Sequence, residues 1–137
     1  MTTPYAIDAI DHVVLRVRDL ERAVAFYVDV VGCSVARRRD DLGLVHLRAG
    51  SAMIDLVHAQ GRLGLRGGAA PDAGARNVDH VCLRIAPFDE AVLVAHLAAH
   101  GVALLGPVES NFGAQGDGDS LYFADPEGNV VELKGRR

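Results

Sequence analysis

The stretch "AIDHVVLRVRDL" near the start returns later in the chain as "NVDHVCLRIAPF". A repeated phrase at this spacing constrains the fold more than any composition figure, because each copy must be one supersecondary unit of a duplicated architecture. Both copies begin an alternating apolar strand with a histidine. In the first, Val13, Leu15 and Val17 share one face, and His12, Val14 and Arg16 the other, since strand side chains alternate with period two.

The elements after each phrase also repeat. "DLERAVAFYVDVVG" reads as an amphipathic helix. Asp19 is its N-cap, Leu20, Ala23, Val24, Tyr27 and Val31 form its apolar stripe, and Gly32 is its stop. Strands are expected at 34–38, 44–48 and 52–57, with "RRRDD" at an exposed turn. The Gly-, Ala- and Pro-rich segment 61–75 reads as a mobile linker. A strand over 78–85 and a helix from Asp89 to His100, stopped by Gly101, open the second half. Strands at 103–105, 121–123 and 130–134 complete it. "ESNFGAQGDGDS" reads as a flexible loop and "DPEGN" as a turn. The expected organisation is one domain over 1–137, with modules at 8–60 and 76–137.

Composition narrows the class. Of 137 residues, 50% are apolar, enough for a real core, and the net charge is −4 without a basic run. A dedicated nucleic-acid binder would need clustered phosphate contacts, so none is expected. No apolar run is long enough to span a bilayer and no leader pattern opens the chain. Cys33 and Cys82 form no Cys-x-x-Cys pair. A cytoplasmic protein with reduced thiols is expected.

Four residues occupy matching places in the duplication. His12 and His80 lie on the first strand of each half, Asp55 in "AMIDLV" and Glu132 in "NVVELK" on the last. Alternation turns Ile54, Leu56, Val131 and Leu133 toward the helices and the two carboxylates away from them. Singly, a strand histidine is most often hydrogen-bonded in a core, and a strand carboxylate solvated. As a symmetric quartet they point to a divalent metal, because two facing carboxylates repel unless a cation neutralises both. The donors suit zinc, nickel, cobalt, manganese or iron. His46, His58, His96 and His100 lack this symmetry. The last two are expected on the helix surface or at its C-terminal end.

On "DHVVLRVRDLERAVAFY" and "LYFADPEGNVVEL", the chain resembles the vicinal oxygen chelate superfamily over essentially its whole length. That superfamily includes glyoxalase I, extradiol ring-cleaving dioxygenases, fosfomycin-resistance transferases, methylmalonyl-CoA epimerases and bleomycin-binding proteins. The resemblance implies an α+β fold of two tandem βαβββ modules in a curved, incompletely closed mixed barrel with helices outside. It places metal ligands at His12, Asp55, His80 and Glu132.

The glyoxalase I reading implies a metal-dependent isomerisation through an enediolate, possibly of a glutathione hemithioacetal. Glu132, with Asp55, would be the proton carrier, and Arg16 and Arg76 would meet substrate carboxylates. Asp55 stands where glyoxalase I has Glu, and Ala59 where it has Asn. The alternative is a single-domain extradiol dioxygenase with ferrous iron on His12, His80 and Glu132 and with Tyr122 beside the substrate. A fosfomycin transferase would carry Thr where Val14 stands. The second alternative is a non-catalytic bleomycin-type small-molecule binding protein, a class whose members lack the quartet. A small-molecule substrate and a homodimer are expected, with the site within one chain or shared between two.

Overall fold

The computed structural model describes residues 3–136. The first module runs β1 (His12–Val17), α1 (Leu20–Phe26), β2 (Ser34–Arg39), β3 (Leu44–Ala49) and β4 (Ala52–His58). The second runs β5 (Val81–Arg84), α2 (Glu90–Ala99), β6 (Glu109–Gly113), β7 (Gly116–Ala124) and β8 (Val130–Lys134). Each module makes one four-stranded sheet, ordered β1-β4-β3-β2 and β5-β8-β7-β6. In each, the first strand pairs parallel to the last, and the remaining pairings are antiparallel. The sheets stay separate rather than closing into a barrel. Among the described residues, no helix is long and apolar enough to cross a membrane.

The helices start and stop where local chemistry dictates. Asp19 accepts a hydrogen bond from the Arg22 amide and Asp89 from the Val92 amide, each satisfying an otherwise orphaned first-turn donor. α1 continues into a wider π-type turn over Tyr27–Val31 and ends at Gly32, whose φ of 96° a side chain would strain.

One apolar core joins both modules. Leu15, Val17, Leu47, Ile54 and Leu56 meet Tyr27 and Phe26 of the first helical segment, and Leu121, Phe123, Val131 and Leu133 of the second sheet. The Phe26 and Phe123 rings lie 6.1 Å apart across the module boundary. The "DPEGN" turn is a buried polar latch. Asp125 accepts from the Tyr27 hydroxyl and from the Glu127 and Asn129 amides, while Glu127 accepts from the Arg18 and Asp19 amides of the first module.

Four expectations change. The second module's first strand begins at Val81 rather than 78, and its ladder to β8 starts with Val81 beside Val131. No strand forms at 103–105. Instead, much of the expected loop 109–120 is strand: β6 and β7 pair antiparallel around a tight turn at Ala114–Gln115. The linker is also more ordered than its composition suggests, with a 3-10 turn at Gly64–Gly67 and a bridge between Asp72 and Ala75.

Candidate metal and substrate site

Strand register converts the repeated sequence into repeated geometry. Parallel pairing sets Val14 beside Asp55 in the first module and Cys82 beside Glu132 in the second. His12 and His80 each stand two residues before those positions. On the third strand of each module, His46 faces Asp55 and Tyr122 faces Glu132. Each open sheet face therefore carries an imidazole, a carboxylate and a third polar ring.

The quartet divides into two pairs. His12 Nε2 lies 4.0 Å from Asp55 Oδ2, and His80 Nε2 lies 3.1 Å from Glu132 Oε1. Among the described residues, no group of three or more His, Cys, Asp or Glu is arranged to hold a metal ion. Each pair is about as close as two donors on one metal, since each ligand stands roughly 2.0–2.2 Å from the ion. The carboxylates are the buried partners, with Asp55 5% and Glu132 4% exposed, while both rings remain reachable from solvent.

Both rings are oriented in the same way. His12 Nδ1 lies 2.6 Å from Asp11 Oδ1, and His80 Nδ1 lies 2.6 Å from Asp79 Oδ1. A carboxylate on Nδ1 fixes the tautomer that leaves Nε2 free as a donor to a cation. The hydrogen bond that His12 donates to Asp11, with the charge of Asp55, raises the His12 pKa. Hydrogen bonding to His80 lowers that of Asp79. These aspartates were not singled out from sequence, although the Asp-His dipeptide stands in both copies of the repeat.

His46 is a second residue that the search for symmetric residue types passed over. Its Nδ1 lies 2.9 Å from Asp55 Oδ1, so Asp55 sits between two imidazoles. Its counterpart Tyr122 packs edge-on against His80 with ring centroids 5.6 Å apart. Burial, with hydrogen bonding to Glu132, pushes the Tyr122 pKa up to about 12.

The two arginines expected to meet substrate are otherwise engaged. Arg16 donates to the backbone carbonyls of Gly64, Gly67, Gly68 and Ala69 at 2.6–3.2 Å. Its own backbone N–H and C=O are bound by Asn77, which also reaches Asn129. Arg16 is thus a clamp on the linker. Arg76 lies 3.9 Å from Asp79, the carboxylate that orients His80. His96 binds the Val30 carbonyl at 2.8 Å, which ties α2 to the first module, and stacks edge-on against His100.

Comparison with known proteins agrees with this architecture. The family profile described as the Glyoxalase/Bleomycin resistance protein/Dioxygenase superfamily matches residues 9–133, and the chain belongs to that superfamily. It is 32% identical to the virulence protein STM3117 of Salmonella typhimurium, over 93% of this chain and 83% of that one. The crystal structure of that protein superposes with a TM-score of 0.79 at 23% identity, covering 97% of this chain and 100% of the other. An ethylmalonyl-CoA/methylmalonyl-CoA epimerase of Cereibacter sphaeroides is 28% identical, over 93% of this chain and 98% of the enzyme. A catechol-2,3-dioxygenase of Bacillus subtilis is 25% identical over 97% of this chain, which spans only 43% of that enzyme's length.

Proposed function

We propose that the chain is a metal-dependent enzyme of the isomerase type found in this superfamily. In this reading it grips a small substrate by two adjacent oxygens and moves a proton between neighbouring carbons. The carrying observation is that each module pairs an aspartate-oriented imidazole with a buried carboxylate. His12 and His80 would offer Nε2 to the ion, and Asp55 and Glu132 would complete its shell. When bound, a divalent ion would supply Lewis acidity that favours an enediolate-like charge on the substrate.

The protein's own groups would do the rest. Glu132, buried and held beside His80, is placed to take a proton from a substrate carbon and return it to the next. Asp55 would serve the opposite side, with His46 fixing its orientation. A relative named as an epimerase supports chemistry of this type. The engagement of Arg16 by the linker removes support for glutathione as the thiol partner.

We also infer that two copies join to complete the site. One copy's His12–Asp55 pair would face the other's His80–Glu132 pair. Ile10, Val14 and Val78 are exposed apolar side chains close in sequence to these pairs, and they suit burial between subunits. Cys33 and Cys82 are free thiols, which suits the reducing cytoplasm.

A second reading, ferrous extradiol dioxygenase, is favoured by one contact, that of Tyr122 with His80. One preparation separates the two. Protein purified without oxygen is analysed for metal, then assayed with methylglyoxal plus glutathione, with short-chain 2-oxo and malonyl-type substrates, and for oxygen uptake on catechols. Nickel, cobalt or zinc with proton-transfer turnover supports the isomerase. Iron with oxygen uptake supports the dioxygenase. Protein that takes up none of these ions sinks both.

A further inference from the structure

The duplication is broken on one face. By register, Arg16 of the first module corresponds to Arg84 of the second, and Val57 corresponds to Lys134. In the first module, the linker carbonyls consume Arg16. In the second, a cavity of about 300 Å³ lies at the matching place, lined by His80, Glu132, Arg84, Lys134 and Arg136 together with the β6–β7 turn at Phe112–Gln115.

Lys134 is an unusual residue to find there. It is 7% exposed, and its Nζ donates to the Gly116 carbonyl at 2.9 Å. Among the described residues, neither it nor Arg84 forms an ion pair within 4 Å. An ammonium carries three donors, and withdrawing it from water is costly unless an anion compensates. The backbone reserves its place. A Cβ on Gly118 would stand 2.8 Å from Nζ, and one on Gly113 would stand 3.0 Å from the Lys134 Cε. Arg84 is the register partner of Lys134 and is exposed at the cavity. The carboxylate facing the same space, Glu132, is 3.1 Å from His80. The cavity is therefore locally cationic in a chain of net charge −4.

We propose that the substrate of this site carries an oxyanionic group, a carboxylate or a phosphate or phosphonate, seated on Lys134 and Arg84. The remainder of the molecule reaches from that anchor toward His80 and Glu132. Arg84 supplies a planar pair of donors and Lys134 a buried point charge, a combination that selects small dianions over neutral analogues. This inference rests on the reading that the His80–Glu132 pair is where the chemistry occurs.

The test is calorimetric titration of the metal-free protein with inorganic phosphate and, separately, with oxalate. The wild type binds at least one of them. Lys134→Met and Arg84→Gln each weaken that binding by about tenfold or more, the loss of a charge-assisted hydrogen bond. His80→Ala retains it. A preference for phosphate assigns a phosphoryl or phosphonyl group, and a preference for oxalate assigns a carboxylate. Binding to neither anion overturns the proposal, as does equal binding by wild type, Lys134→Met and Arg84→Gln. So does a loss in His80→Ala as large as that in Lys134→Met. If Lys134→Met does not fold, the exposed Arg84→Gln decides. Anion binding by a protein that never takes a metal would sink the metal-enzyme reading and leave Lys134 and Arg84 as an anion-binding site without the assignment of its occupant as a substrate.

Discussion

Tyr27 donates its hydroxyl to Asp125 Oδ2 at 2.7 Å, and both side chains are buried. The contact joins the helical segment of the first module to the turn between the last two strands of the second. Asp125 has further donors in the Glu127 and Asn129 amides and the Asn129 side chain, so Tyr27 is one member of a saturated set. Tyr27→Phe keeps the ring in the core and removes only the donor. Its expected cost is about 1.5–3 kcal/mol, the range for hydrogen bonds to charged groups. Urea unfolding should show a lower midpoint with an unchanged slope. An unchanged midpoint would mean that the latch contributes nothing.

The elements legible in the sequence are those whose signals are local. Asp19 and Gly32 bracket the first helical segment because a side-chain cap and a positive φ are properties of single residues. The strands starting at Ser34, Leu44 and Ala52 follow from short alternating or β-favouring runs. β6 was not legible, since "ESNFG" has no apolar alternation and becomes a strand only by pairing with β7. The candidate quartet was visible as a symmetry of residue types. His46 was not, because its counterpart is Tyr122, and only strand register shows that the two positions match. The role of Arg16 was hidden for a different reason: its acceptors are backbone carbonyls, which no residue type announces.

The Arg16 clamp predicts where the chain opens first when it is lost. Arg16→Ala leaves the carbonyls of Gly64, Gly67, Gly68 and Ala69 without their shared donor. Limited proteolysis should then cut within 61–75 well before the rest of the chain, while the wild type resists at the same protease ratio. A digestion pattern indistinguishable from wild type would return Arg16 to the pool of ligand-binding candidates.

Alkaline pH should destabilise the fold in a defined window. Burial pushes the Cys33 thiol up to about 11. Burial and Asp125 raise the Tyr27 hydroxyl further still. In the unfolded chain, thiols lose their protons near the ordinary value of about 8.5. The native state thus binds more protons above that pH, and stability falls as pH rises through the window toward 11. Denaturation midpoints at pH 8, 9, 10 and 11 check the slope. Cys33→Ala should flatten it, and a midpoint constant to pH 11 would refute the argument.

The paired aspartates make a sharper statement about the site than the ligands themselves do. Asp11 and Asp79 touch Nδ1 of their histidines at 2.6 Å and offer nothing directly to an ion on Nε2. Asp11→Asn and Asp79→Asn preserve shape while removing the charge that orients each ring. Loss of such a partner typically costs 10–100-fold in metal affinity. Competition titration against a chromophoric chelator, with nickel or zinc, should show weakening of that order in both variants. It should show a near-complete loss in His12→Ala and His80→Ala. Because the duplication gives the two aspartates equivalent places, comparable losses are expected from each. A large loss in Asp79→Asn with none in Asp11→Asn would restrict the metal to the second module's pair and leave His12 and Asp55 to another role.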